Sequence, residues 1–182
     1  MLIKIDLFPI PLFHVRVSNW KEKKSEIEKL VHQNNFTKTG PENILTDFYD
    51  EKTNYNEDVA RIFEKEISDL YKTISTTGEY EVKNSWIEIG KKGMHHDIHN
   101  HGMTGISAVC FVKFNHKVHS STQFIAPFND FRTGHIIREE FRNVREGSLI
   151  FFPSFINHFT NPNTSEEERI ILSFNVNGDL IV

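Results

Sequence analysis

Three histidines and one arginine carry the chemistry this chain offers. His99 and His101 stand two apart in HHDIHNHG, His158 follows in FFPSFINHFTNP, and Arg169 comes eleven residues later in ERIILSFNV. Imidazole is the commonest protein ligand for iron, zinc and copper. A close His pair with a distant third His can hold one face of a metal and leave the other face open. On an extended segment, side chains two apart share a face, so His99 and His101 can reach one ion. A second pair overlaps them. His95 and Asp97 form a His-X-Asp unit, which matches the carboxylate version of an iron facial triad. Asp97 could instead be an acceptor that orients a ligand imidazole. His99 and His101 are preferred because they lie nearer the following strand. His95 and His96 are expected in an exposed loop.

Around Arg169 the alternation is informative. Ile170, Leu172, Phe174 and Val176 point one way and read as core. Arg169, Ile171, Ser173 and Asn175 point the other way, and three of these four are polar, so that face is expected to look into a wet or ligand-filled cavity. A guanidinium there can grip an acidic co-substrate in a two-bond fork. The bland alternative is a surface Arg pairing with Glu166 or Glu167, which is worth little. The segment NPNTSEEE reads as a turn that folds the flanking strands back on each other and brings the arginine beside the metal.

The elements that must position these groups fall into two blocks. Residues 7–17 read as an extended piece with two prolines, an edge strand at best. Ser18 or Asn19 could cap a helix running to about His32, with Trp20, Ile27, Leu30 and Val31 on one side. A polar stretch, 33–56, follows. Val59, Ile62, Phe63, Ile67, Leu70, Tyr71 and Ile74 then recur at three- and four-residue steps, the stripe of a second helix. After Gly78 the pattern changes to strands: EVKNSWIEIG and GISAVCFVKF are candidates, STQFIA could be a short third, and GSLIFFP and ERIILSFNV are strong fourth and fifth strands, each bounded by turn residues. Helices before such a strand block can pack on one sheet as a buttress. The expected fold is α+β, one domain over 1–182, with a helical part at 1–78 and a β-sandwich at 79–182.

Composition sets the outer limits. The 182 residues, 38% hydrophobic and 25% charged, suffice for one core. The 16 Phe suit a packed β interior. A net charge of −4 without a basic run gives no nucleic-acid signature. The single cysteine, Cys110, excludes an intramolecular disulfide framework and fits a reducing compartment. The opening MLIKIDLFPIPLF is too polar and broken for a signal peptide, and no stretch is long enough to span a membrane, so a cytoplasmic protein is expected.

The chain resembles the family of 2-oxoglutarate/Fe(II) oxygenases that has many phage and marine bacterial members. Four pieces match in order: LFPIPLF, Trp86 thirteen residues before His99, HNHGMTGISAVCFVK, and GSLIFFPSFINHFTNPNTSEEERIILSFNV. The resemblance covers nearly the whole chain, and the last block is its most specific part. It implies a double-stranded β-helix, a distorted jelly roll. It also implies Fe(II) held by His99, His101 and His158, with 2-oxoglutarate as co-substrate and its far carboxylate on Arg169. Succinate and CO2 would be released as a substrate is hydroxylated. That substrate, a small molecule or a peptidyl residue, is not named by any motif, and neither is the oligomeric state.

Some positions depart from the family's pattern. Gly102 replaces its Pro. Ala108, Val109, Cys110 and Phe111 replace its Gly-Val-Tyr-Tyr, whose hydroxyls could bond the co-substrate. Ile171 stands where related enzymes have a Ser that Ser173 could replace. His101 occupies a place where most such enzymes have a carboxylate. The competing readings are a cupin-type metal protein that does not use 2-oxoglutarate, a zinc hydrolase with Asp97 or Glu88 as base, and a non-catalytic metal site. Against the cupin, Ile106 and Ser107 stand where a Glu should follow the His pair.

Overall fold

A computed structural model describes residues 10–34, 36–38 and 44–180, with the side chains of 37 and 38 outside the description. The described elements begin with β1 (Phe13–Arg16), α1 (Trp20–Gln33), β2 (Thr37–Lys38), β3 (Leu45–Thr46), α2 (Asn56–Ile62) and α3 (Glu64–Ile74). Strands follow: β4 (Tyr80–Gly90), β5 (His96–His99), β6 (Ile106–Lys113), β7 (Gln123–Asn129), β8 (Ile136–Glu140), β9 (Ser148–Pro153), β10 (Asn157–Thr160) and β11 (Arg169–Gly178). They form a seven-stranded sheet in the order β1-β9-β6-β11-β4-β3-β2 and a four-stranded sheet in the order β5-β10-β7-β8. All pairings are antiparallel. Two such sheets facing each other make the jelly roll, and the helices give the α+β class.

The seven-stranded sheet is covered on both faces, and its strands read accordingly. In β6, Ala108, Cys110 and Val112 pack with the helices, while Val109 and Phe111 pack between the sheets. In β9, Leu149 and Phe151 face the helices, and Ile150 and Phe152 face inward. A strand buried on both faces is a continuous apolar run, which is how SAVCFV and LIFF read. The helix-side layer joins Ile27 of α1, Val59 and Ile62 of α2, Ile67 and Leu70 of α3, and Leu172, Phe174 and Val176 of β11. This layer is the larger of the two buried apolar clusters, and its removal from water stabilises the fold.

Several expectations need correction. The stripe from Val59 to Ile74 is two helices, because Phe63 leaves helical geometry (φ −106°, ψ 15°). Asn19 does precede α1, but it is left-handed (φ 50°) and makes no capping hydrogen bond with its side chain. Ser18 turns instead to the buried Glu66, which accepts from the Ser18 N–H at 2.8 Å, its hydroxyl at 2.7 Å, and Lys23 Nζ at 2.8 Å. This clasp joins the start of α1 to α3. The polar stretch 33–56 contributes β2 and β3, though residues 35 and 39–43 lie outside the described residues. Within it Asp47 is buried and accepts from the Ile87 N–H (2.7 Å), Tyr55 (2.9 Å) and Asn34 (2.7 Å), tying the loop after β3 to β4. Of residues 7–17, β1 is an edge strand as expected, and 7–9 lie outside the described residues. The short strands β5, β8 and β10 were not legible in the sequence. Among the described residues, no helix is long and apolar enough to cross a membrane.

Candidate metal centre

His99 ends β5, and His158 lies in β10 as its direct antiparallel partner. Both side chains therefore project from neighbouring strands of the smaller sheet. His101 lies beyond β5, where its N–H donates to the Ser154 carbonyl at 2.9 Å. Glycine at 105, with φ +90°, lets the chain turn into β6; a Cβ there would come within 2.5 Å of Asn177 Oδ1. The three imidazoles converge, and their ligand atoms lie within 4.8 Å of one another.

The hydrogen bonds behind the rings fix which nitrogen faces the centre. Nδ1 of His99 is 2.7 Å from the Asp97 carbonyl, and Nδ1 of His158 is 3.0 Å from the Ile156 carbonyl. Nδ1 of His101 is 3.0 Å from Asn175 Oδ1 and 2.8 Å from Ser107 Oγ. Each Nδ1–H donates backwards, so the tautomer carries its lone pair on Nε2. Nε2 of His101 is buried with no hydrogen-bond partner. A buried, orphaned imidazole nitrogen is costly unless it meets a cation or a donor. Burial first, then the charge of His99, brings the His101 pKa down to about 4. Burial first, then the neighbouring imidazoles, also holds His158 well below its ordinary value. Neutral imidazoles are what a divalent metal requires. The donor set fits iron.

The other candidates fall elsewhere. Asp97 is exposed, and it is its backbone carbonyl rather than its carboxylate that orients His99. His95 Nε2 lies 3.4 Å from Asp97 Oδ1, outside the three-histidine cluster. His96 is not in an exposed loop. It belongs to β5, stacks on His99 with ring centroids 3.8 Å apart, and places Nδ1 3.0 Å from Glu88 Oε1. Glu88 is buried and also accepts from Trp86 Nε1 at 3.1 Å. Burial works against its charge, but His96 and the indole N–H outweigh it and hold the carboxyl down to about 2. Trp86 meets the His101 ring edge-on at 4.9 Å.

Arg169, Ser173 and Asn175 lie on the inner face of β11, as the alternation requires. Arg169 is 3% exposed, so the surface pairing with Glu166 or Glu167 does not occur. Among the described residues its guanidinium makes one hydrogen bond, Nη1 to the Ser120 carbonyl at 3.2 Å, and no ion pair. A buried guanidinium with most of its donors unused suits a carboxylate guest. Ser173 is buried opposite Trp86. Asn175 supports His101 rather than standing at the far end with Arg169. The loop before β11 does not fold two paired strands together, because β10 and β11 belong to opposite sheets. Asn163 holds this crossover by donating to the Gly90 and Glu167 carbonyls at 2.9 and 2.7 Å. Of the two lost tyrosine positions, Cys110 faces the helices, away from the centre, and only Phe111 points inward.

A cavity of about 410 Å³ opens beside the histidines. Glu88, His99, His101 and Asn175 line its inner part, and Phe48 and Tyr49, both exposed, stand among its lining residues. Arg169 lies deeper along β11. Its backbone partner on β4 is Gly90, two residues beyond Glu88. Glu88, Ser107 and Ser154 join the site without being expected there as supports of the ligands.

The fold matches solved structures of oxygenases at low sequence identity. A prolyl-4-hydroxylase from Pseudomonas putida aligns with a TM-score of 0.59 at 11% identity, covering 91% of this chain and 92% of that one. The viral collagen prolyl hydroxylase from Paramecium Bursaria Chlorella virus-1, solved as a 2OG complex, aligns with 0.59 at 13% identity over 91% and 94%. The non-heme alpha ketoglutarate dependent epimerase SnoN from nogalamycin biosynthesis aligns with 0.67 at 12% identity over 93% and 78%. No curated protein matches the chain in sequence. A family model described as "Putative 2OG-Fe(II) oxygenase" matches residues 84–175, which span β4 through most of β11 and include all three histidines and Arg169. The chain belongs to this family of 2OG-Fe(II) oxygenases. It is an oxidoreductase whose cofactors are Fe(II) and 2-oxoglutarate.

Proposed function

We propose that this oxygenase hydroxylates a small molecule or a single peptidyl side chain, with His99, His101 and His158 holding the iron and Arg169 the far carboxylate of 2-oxoglutarate. The observation that carries the assignment is the convergence of three imidazoles, each with Nδ1 engaged behind it, around the orphaned Nε2 of His101. When bound, iron and 2-oxoglutarate would supply an oxidation by dioxygen in which the keto acid becomes succinate and CO2, one oxygen atom of O2 entering the succinate carboxylate and the other the hydroxylated substrate. The protein's residues do the rest. Asn175 and Ser107 keep the His101 ring turned inward. The inner Phe111, Phe124 and Phe152 cluster keeps water from the buried side. The cavity admits a ligand of modest size past Phe48 and Tyr49. Buried Cys110, a thiol with no disulfide partner, supports a reducing, cytoplasmic setting.

The test is 2-oxoglutarate turnover to succinate by the iron-loaded protein. Arg169→Ala is expected to raise the 2-oxoglutarate requirement about 10- to 100-fold, the value of a charge-assisted pair. An unchanged requirement would move the carboxylate site elsewhere. Turnover that ignores 2-oxoglutarate would favour the cupin-type reading.

A further inference from the structure

Three imidazoles bring no negative charge to a divalent metal. In this chain the nearest buried carboxylate stands one layer behind the ligands. Glu88 is 4% exposed, contacts His96 at 3.0 Å, and through the His96 ring backs onto His99, whose ring is 3.8 Å away. It also lines the cavity and lies opposite Ile171, between the histidine cluster and the level of Arg169. We propose that Glu88 is the displaced counter-anion of the metal centre: it strengthens divalent-cation binding and opposes the dianionic co-substrate. The inference rests on the ligand assignment proposed above.

Charge balance supports it. With neutral ligands, and with His96 giving Glu88 a neutral Nδ1–H, a loaded site holds two positive charges on the metal and one on Arg169. The co-substrate supplies two negative charges and Glu88 the third. Without Glu88 the closed site would hold a net positive charge in a low dielectric, which is costly. Glu88 is fixed by the hydrogen bonds from Trp86 and His96, so its charge cannot swing away to solvent. Its place on the inner face also explains why His96 is half-buried against it rather than exposed.

The predicted effects have opposite signs, and a merely structural role would not produce that. The metal-free protein would be titrated with Co(II), following quenching of intrinsic tryptophan fluorescence, since Trp86 abuts His101. At saturating Co(II), 2-oxoglutarate would then be titrated. Glu88→Gln is expected to weaken Co(II) binding about tenfold or more and to tighten 2-oxoglutarate several-fold, the direction of a removed charge. Glu88→Asp, which keeps the charge, should stay within about threefold of wild type on both axes. Should Glu88→Gln fail to fold by circular dichroism, Glu88→Met carries the same pair of expectations. Affinities that fall together, or neither moving, would overturn the proposal while leaving the metal assignment standing. A wild-type protein that binds no Co(II) would overturn both.

Discussion

The two sheets of this jelly roll divide the work unequally. The four-stranded sheet supplies His99 and His158 as cross-strand neighbours, on the short strands β5 and β10. The seven-stranded sheet supplies none of the three histidines. It holds what stands behind them: Asn175 and Ser107 on His101, Glu88 behind His96, and Arg169 further along. Its outer face is sealed by helices, whereas the outer face of β7 and β8 is largely exposed. The lesson is that the frame orienting the ligands and the strands carrying them are different structures. Damage to the covered sheet should be felt as lost folding or lost orientation. Damage to the outer face of the open sheet should be felt hardly at all.

The largest effect is expected at Phe174, fully buried in the covered sheet, stacked on Phe63 at 5.4 Å and edge-on to Phe151 at 6.3 Å. Phe174→Ala should cost about 3–5 kcal/mol, read by urea unfolding. A cost below about 1 kcal/mol would show that this layer does not carry the fold.

Next comes orientation across the sheets. Asn175→Ala removes one of the two acceptors of His101 Nδ1 and should weaken Co(II) binding about tenfold. The double variant with Ser107→Ala should weaken it about a hundredfold, while the folded far-ultraviolet spectrum persists. Unchanged affinity would mean the covered sheet does not set the ring.

A gentler probe is pH. The folded-state pKa of His101 is about 4, and that of His158 is also depressed, against an ordinary 6.5. Between those values the unfolded chain binds more protons than the folded one, so stability falls as pH drops from about 6.5 toward 4. Below about 4.5, protonation of Glu88, held near 2 when folded, extends the loss. Thermal melts of metal-free protein from pH 7 to 4 should show this decline, and Co(II) should raise the midpoints wherever it competes with the protons. A flat profile would contradict neutral, buried imidazoles.

The smallest effect belongs to the open sheet's hairpin. Phe131 is 95% exposed between β7 and β8, so Phe131→Ser should alter stability by no more than about 0.5 kcal/mol and leave Co(II) affinity unchanged. A large loss would mean the hairpin packs on something the monomer does not show.

Sequence legibility followed the same division. Strands buried on both faces, such as β6 and β9, were readable as apolar runs, and the alternation of β11 correctly separated its core face from Arg169, Ser173 and Asn175. The short strands β5, β8 and β10 were not, because four or five residues with histidines, asparagines and charges carry no period of their own and are held by neighbours. His99, His101 and His158 were legible by type and spacing. The roles of Asn175, Ser107 and His96 were not, because they depend on which strands the sheets bring together. The break at Phe63 was hidden for a related reason. The apolar stripe continues through it, and only the backbone departs.

The most direct measurement is made without oxygen. Fe(II) and then 2-oxoglutarate are added to metal-free protein while the visible spectrum is recorded. The account predicts a charge-transfer band of a chelated keto acid that needs both additions, and that is absent in His158→Ala because the centre has lost its buried ligand. Iron binding with no band, or a band that survives in His158→Ala, would contradict it.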